Sequence, residues 1–292
     1  MEPVQQLMYE SKRRDTMKEI EIDTRVKLNN GVEMPLFGLG TYGAQSGKEA
    51  QKAVLHALKA GYRLIDTATF YENEKDVGEA LKKSGIPREE VFITTKLWNS
   101  DHGYDTAIAA CKESLKKLGL SCIDLYLIHW PVHGLRNETW NAFETLVEEG
   151  VCRAIGVSNY MIWHLEDLFE SSSAVPAVNQ VEFSPYLYQK DLLEFCRSHS
   201  IQLEGYSPLT KGLKLHDPNL AEIAAKYSKS PAQILIRWAL QREVVIIPKS
   251  VKKERIYENA SVFDFAISQK DMNALDSFHE NLRTSWDPST VL

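Results

Sequence analysis

The chain has 292 residues, is 43% apolar and 25% charged, and carries a formal net charge of −6. This is the composition of a soluble globular protein, and its acidity excludes general attraction to nucleic acid or an anionic membrane face. No apolar run reaches the 18 or more residues of a membrane span, and no apolar h-region of a secretory signal opens the chain.

In chain order, residues 1–23 are charged and lack apolar periodicity, which predicts a loosely ordered N-terminal arm; Met17 offers an alternative start. "RVKLNNGVEMP" predicts a β-hairpin turning at Asn30-Gly31. One plan then repeats, a short β-rich run followed by a stretch of helical period. The strands are "LFGLG", "YRLID", "VFITTKL", "IDLYLIHW", "CRAIGVS", "AVNQVE", "IQLEGYS" and "VVIIPKS". The helices after them begin with "GKEAQKAVLHALKAG" and "EKDVGEALKKSG" and end with "KERIYENA"; a further helix, "SQKDMNALDSF", follows. Gly61, Gly85, Gly119 and Gly150 read as helix stops. The strands are continuously apolar, as expected when both faces are buried. Eight strand–helix units without a linker between halves predict a single (β/α)8 barrel over residues 24–292, with the hairpin at its N-terminus. Cys111, Cys122, Cys152 and Cys196 form no C-x-x-C and have no His at metal spacing. They read as reduced thiols of a cytoplasmic protein, with no metal site.

"GLGTYG", Gly38 to Gly43, matches the dinucleotide fingerprint G-x-G-x-x-G, and Asp66 stands about where its acidic partner would be. In that fingerprint the helix opens within the motif, so that its amides face a pyrophosphate. Here Ser46 with Glu49 reads as a capping box that puts the N-cap at Ser46, beyond Gly43. The stretch is therefore expected to be a strand-to-helix loop.

A barrel of this kind carries its active site at the C-terminal ends of the strands. Asp66 ends the second strand, Tyr71 follows five residues later, Lys96 ends the third and His129 the fourth. Taken singly, Asp66 reads as a helix cap or ion-pair partner, and Tyr71 and His129 as satisfied structural residues. Lys96 resists that reading, because lysine is rarely buried unpaired; Asp66 on the adjacent strand is its natural partner. As a set the four residues suit proton donation to an oxygen gaining negative charge. An ammonium beside the tyrosine is expected to lower its pKa from about 10, and a neutral His can hydrogen-bond a carbonyl oxygen.

The stretches "LNNGVEMPLFGLGTY", "GYRLIDTATFYENE", "TTKLW", "DLYLIHWP", "RAIGVSNY", "VNQVEFSP", "GYSPL", "IPKSVKKERIYEN" and "SWDP" occur in this order over nearly the whole chain beyond residue 26. Together they closely resemble the aldo-keto reductases. The resemblance implies a (β/α)8 barrel that binds NADPH across its mouth without a Rossmann domain. It implies Asp66, Tyr71, Lys96 and His129 as a catalytic tetrad, with Tyr71 the proton donor. Ser158, Asn159 and Gln180 match the residues that hold the carboxamide, and Tyr206 the aromatic that stacks on the nicotinamide. Ser207 and Leu209 match pyrophosphate contacts. Lys249, Ser250, Val251 and Arg255 match the 2′-phosphate site, and Glu258 and Asn259 the adenine contacts. Tyr42, Trp98, Trp130 and Trp286, with His129, match the substrate pocket; Tyr42 stands where Trp is common, and Cys152 where Lys is common.

The segment "IPKSVKKERIYEN" also speaks for itself: four cations on an acidic chain, after strand eight and at a helix start, suit a phosphate, and favour NADP over NAD. The alternative is a solvated basic face. The loops after His129 and at the C-terminus are short, so an open pocket is expected. The implied activity is NADPH-dependent reduction of small aldehydes and ketones, dicarbonyls such as methylglyoxal included, by a monomer. A specialised reductase of a prostaglandin endoperoxide or keto sugar is an alternative. So is a non-catalytic NADPH-binding or structural protein, against which the intact tetrad argues.

Overall fold

The computed structural model describes residues 20–291, so most of the expected N-terminal arm lies outside the described residues. Ile20 and Ile22, assigned to that arm, pack half-buried against the core.

β1 (Arg25–Lys27) and β2 (Glu33–Pro35) form the expected antiparallel hairpin. Its turn sits one residue earlier than predicted. Gly31 N donates to Leu28 O, so Asn29 and Asn30 are the central pair. Gly31, at φ 89, supplies the left-handed residue that follows. The Asn30 amide donates to Arg153 O and the Asn29 amide to Pro176 O, which ties the hairpin to the chain at the starts of two barrel strands.

The barrel strands are β3 (Leu39–Gly40), β4 (Leu64–Asp66), β5 (Phe92–Leu97), β6 (Ile123–Ile128), β7 (Cys152–Ser158), β8 (Val178–Glu182), β9 (Gln202–Tyr206) and β10 (Val245–Ile246). They pair in parallel in strict sequence order, and the bridges Phe37↔Ile246 and Gly40↔Lys249 join the first to the last. Every residue of β4, β5, β6 and β8 is buried, because side chains fill the barrel on one face and helices cover the other. Helices follow the strands as the periodicity predicts, from Lys48–Lys59 after β3 to Lys253–Ala260 after β10. Gly61, Gly85, Gly119 and Gly150 all sit at helix ends with φ between 67 and 98.

The glycines of "GLGTYG" serve the barrel seam. A Cβ on Gly38 would lie 2.4 Å from the Leu64 side chain, and one on Gly40 2.9 Å from Ile247 O. Gly43 turns the loop at φ 69 and offers its carbonyl to Lys249 Nζ at 3.2 Å. The next helix starts only at Lys48, so the stretch is a strand-to-helix loop as expected. The cap itself differs from the expectation. The N-cap is Gly47, not Ser46, and Asp76 from the following helix satisfies this terminus. One Asp76 oxygen accepts from Gly47 N at 2.7 Å and Ser46 Oγ at 2.9 Å, the other from Gln51 Nε2 at 2.9 Å. Ser46 is unavailable as a cap because its hydroxyl is spent on that carboxylate, while Glu49 reaches back to Gln45 N.

Candidate active site

Lys96, at the end of β5, has no exposed surface. Its ammonium donates to both Asp66 oxygens at 2.7 Å, to Thr67 O at 2.9 Å and to Tyr71 Oη at 3.3 Å. Register explains the pairing, since β4 and β5 are adjacent and both residues lie at the C-terminal ends of their strands. Tyr71 is carried by a short 3-10 turn, Thr69–Tyr71, that closes on Glu72 at φ 56. The phenol stands beside His129, with ring centroids 5.6 Å apart.

The electrostatics differ from the sequence expectation at one point. The Tyr71 pKa is raised well above 10, not lowered. Burial is the main cause, followed by the Asp66 carboxylate, Tyr42 and Glu204. The Lys96 charge is largely taken up by Asp66, so less of it acts on the phenol. Tyr71 thus stays a protonated hydroxyl across the physiological range. Burial, aided by Lys96, holds His129 well below its usual value, so the imidazole is neutral. Its Nδ1 is buried without a partner among the described residues, which leaves Nε2 as the nitrogen that can serve the cavity.

A cavity of ≈ 970 Å³ opens at this end of the barrel and brings the expected site residues together. Asp66, Tyr71 and His129 line it, while Lys96 stands behind them, sealed from it. From β7 and β8 come Ser158, Asn159 and Gln180. Ser158 Oγ donates to Gln180 O at 2.9 Å, and Asn159 Nδ2 to His129 O at 3.0 Å. Tyr206 Oη donates to Asn159 Oδ1 at 2.8 Å, which orients the ring at the end of β9. Ser207 and Leu209 follow along the wall. Lys249, Ser250, Val251, Arg255, Glu258 and Asn259 line the far end. Arg255 makes no hydrogen bond or ion pair among the described residues, whereas Glu258 accepts from Ser230 Oγ at 2.6 Å. The helix that starts at Lys253 has no side-chain cap. Two cations and free first-turn amides at one end of a long cavity fit a phosphate dianion. The amide groups of Asn159 and Gln180 at the other end fit a carboxamide. The donor set therefore suits an extended NADP molecule.

Tyr42, Trp98, Trp130 and Trp286 line the remaining arm. Trp286 is 62% and Tyr42 55% exposed, consistent with an open mouth. Sequence reasoning missed Phe70, which stacks on Trp98 at 3.9 Å. It also missed Glu182, which accepts from Thr284 N and Ser285 N and fastens the C-terminal loop, and Glu204, buried within β9. For both acids the available signal was a carboxylate inside a strand expected to be buried on both faces.

The pattern of the aldo/keto reductase family matches residues 36–280. The chain belongs to the aldo/keto reductase family. It is 51% identical over 267 residues to a protein named glyoxal reductase from Bacillus subtilis (strain 168), covering 91% of this chain and 97% of that one. Among solved structures, an aldo-keto reductase from a Medee basin deep-sea metagenome superposes with a TM-score of 0.88 at 47% identity, covering 92% of this chain and 99% of that one. The Bombyx mori aldo-keto reductase in complex with NADP superposes with a TM-score of 0.85 at 36% identity, covering 91% and 95%. The fold is thus the (β/α)8 barrel of a family of oxidoreductases. Among the described residues, no helix is long and apolar enough to cross a membrane.

Proposed function

We propose that this protein reduces small aldehydes and ketones, reactive dicarbonyls among them, with NADPH as hydride source and Tyr71 as proton donor. The observation that carries the reading is the wholly buried ammonium of Lys96 between the Asp66 carboxylate and the Tyr71 hydroxyl. Bound NADPH supplies the hydride. As hydride arrives, the carbonyl oxygen gains charge and needs a proton. Tyr71 remains protonated at neutral pH and can give it. Lys96, 3.3 Å away, stabilises the phenolate left behind. Asp66 holds Lys96 in place. Neutral His129 can donate from Nε2 to the same oxygen and orient it.

Ser158, Asn159 and Gln180 would hold the carboxamide, and Tyr206 would stack on the ring. Ser207 and Leu209 would run beside the pyrophosphate, and Glu258 and Asn259 beside the adenine. Lys249, Ser250, Val251 and Arg255 would hold the 2′-phosphate. The substrate arm, Tyr42, Phe70, Trp98, Trp130 and Trp286, has aromatic walls, which favours small uncharged carbonyl compounds. The similarity to glyoxal reductase supports dicarbonyls and a role in clearing reactive aldehydes.

The test is NADPH absorbance loss with methylglyoxal and a panel of aldehydes and ketones. In Tyr71→Phe, kcat should fall by ~10²–10⁴-fold with the NADPH Kd nearly unchanged. Near-normal turnover by that variant removes Tyr71 from its role. No turnover of any carbonyl by the wild type favours the non-catalytic reading.

A further inference from the structure

Glu204 lies within β9, in register with Gln180 of β8 and Val245 of β10, and has no exposed surface. It reaches the site through Gln180, whose Nε2 donates to Glu204 Oε2 at 3.0 Å and to Asp66 Oδ2 at 2.8 Å. Both amide hydrogens are thereby committed to carboxyl groups. The carbonyl oxygen of Gln180 is the atom left for the cavity that this residue lines. Glu204 Oε1 has no hydrogen-bond partner among the described residues.

Two buried carboxyls thus share one amide and have a single ammonium between them. Burial pushes Asp66 up as well, but Lys96 donates to both its oxygens at 2.7 Å and holds its charge. Glu204 has one amide N–H and no cation in contact, so it is the group that keeps the proton. The ionisable groups that face it are Asp66 of β4, Tyr71 just beyond β4 and Lys96 of β5. The adjacent strands present Gln180, Val245 and Ile246, which carry no charge, and Glu182 at the end of β8, whose oxygens accept from Thr284 N and Ser285 N. Burial, reinforced by Asp66 and opposed by Gln180 and Lys96, pushes Glu204 up to about 8.

We infer that Glu204 is a positioning residue that turns the Gln180 carbonyl toward the cavity and, on losing its proton, adds a buried negative charge that favours the oxidised cofactor over the reduced one. This inference rests on the NADP(H) reading above. The oxidised nicotinamide ring is a cation and the reduced ring is neutral, so a carboxylate behind Gln180 attracts only the first. By reciprocity, NADP+ binding promotes ionisation of Glu204 and releases a proton, whereas NADPH binding does not. The 2′-phosphate titrates alike in both cofactors and cancels in the ratio of their Kd values. One unit charge acting across a few side chains, at an effective dielectric near 20, corresponds to roughly 5- to 30-fold in affinity.

The experiment measures Kd for NADPH and NADP+ by quenching of tryptophan fluorescence between about pH 6.5 and 9.5, with wild type and Glu204→Gln. Proton release is read by calorimetry in two buffers of different ionisation enthalpy. The wild-type affinity ratio should move toward NADP+ by roughly 5- to 30-fold as pH rises, through a midpoint near 8, with a proton released on NADP+ binding. In Glu204→Gln, which keeps the amide contact but cannot ionise, the ratio should stay flat at its low-pH value. A flat wild-type ratio overturns the inference without needing any variant. So does a moving ratio that persists in Glu204→Gln, which assigns the titration to Asp66. Failure of wild type to bind either cofactor overturns the NADP(H) reading and this inference with it.

Discussion

At the scale of single residues, the site was legible wherever an ionisable group stood at the end of an apolar strand. Lys96 in "FITTKLW" had to find an anion, and the register delivers Asp66 to it. The direction of the Tyr71 shift was not legible, because it depends on how completely the phenol is buried and on how much of the Lys96 charge Asp66 absorbs. Glu204 was overlooked for a related reason: a strand pattern does not reveal which buried acid lacks a cation. Its raised pKa also predicts a pH dependence of stability. A carboxyl that titrates near 8 folded and near 4.3 unfolded contributes stability that is fully present below the unfolded value and lost as pH rises toward 8. Glu204→Gln should therefore flatten the fall in Tm between about pH 6 and 9; an unchanged slope would show that other groups set it. At the far end of the cavity, the Arg255 side chain has no partner among the described residues, so a ligand is what it stands to lose. A hydrogen bond to a charged group corresponds to about 10-fold or more in affinity, after allowance for the exposure of this side chain. Arg255→Ala should weaken NADPH by that order and leave NADH nearly unchanged. Equal losses for the two cofactors would mean that this residue does not read the 2′-phosphate.

At the scale of elements, strands and helices followed from periodicity, whereas turns and caps depended on particular hydrogen bonds. The Asn29-Asn30 turn and the 3-10 turn that carries Tyr71 are set by local hydrogen bonds that no hydrophobic pattern encodes. The helix Lys48–Lys59 shows the same limit, since its cap comes from Asp76, about 30 residues away. Burial alone would raise Asp76, but the hydrogen bonds from Gly47, Gln51 and Ser46 outweigh it and leave its pKa lowered. The sign is therefore opposite to that of Glu204: this contribution is present above the unfolded pKa near 3.9 and is lost as pH falls through the folded value. Asp76→Ala removes the carboxylate that accepts all three hydrogen bonds. It should cost about 0.5–2 kcal/mol, in the range of a lost N-cap, which corresponds to roughly 2–4 °C in Tm per kcal/mol for a domain of this size class. Asp76→Asn should recover part of the loss, because its carbonyl still accepts from Gly47. An unchanged Tm for Asp76→Ala would mean that water replaces the carboxylate at no cost.

At the scale of the whole molecule, the closed ring was legible because eight repeats of one unit leave few alternatives, while the packing of its first strand depended on two glycines whose need appears only where Leu64 on one side and Ile247 at the seam press against them. The same closure sets the consequence of ligand binding. The proposed cofactor residues come from the ends of β7, β8 and β9 and from the segment after β10, four neighbouring strands that form one arc of the ring. A ligand that fills it opposes opening anywhere along that arc and should stabilise the fold by mass action. At 100 times its Kd, NADPH should contribute about 2.7 kcal/mol, or roughly 5–11 °C in Tm. NADH at the same concentration lacks the 2′-phosphate and should bind about 10- to 150-fold more weakly. That leaves it at roughly 0.7 to 10 times its own Kd, for a shift of only ~1–6 °C. The chain as a whole repels an anion, with net charge −6, and only the Lys249–Arg255 end favours one. The gap between the two cofactors should therefore narrow as salt screens that local attraction. Thermal melts of the protein alone, with NADPH and with NADH, each at low salt and near 0.5 M salt, measure both effects, with each shift referred to the free protein at the same salt. Equal shifts by the two cofactors at low salt, or a gap that widens with salt, would remove the basic segment from cofactor selection and leave the barrel and the Lys96 cluster untouched.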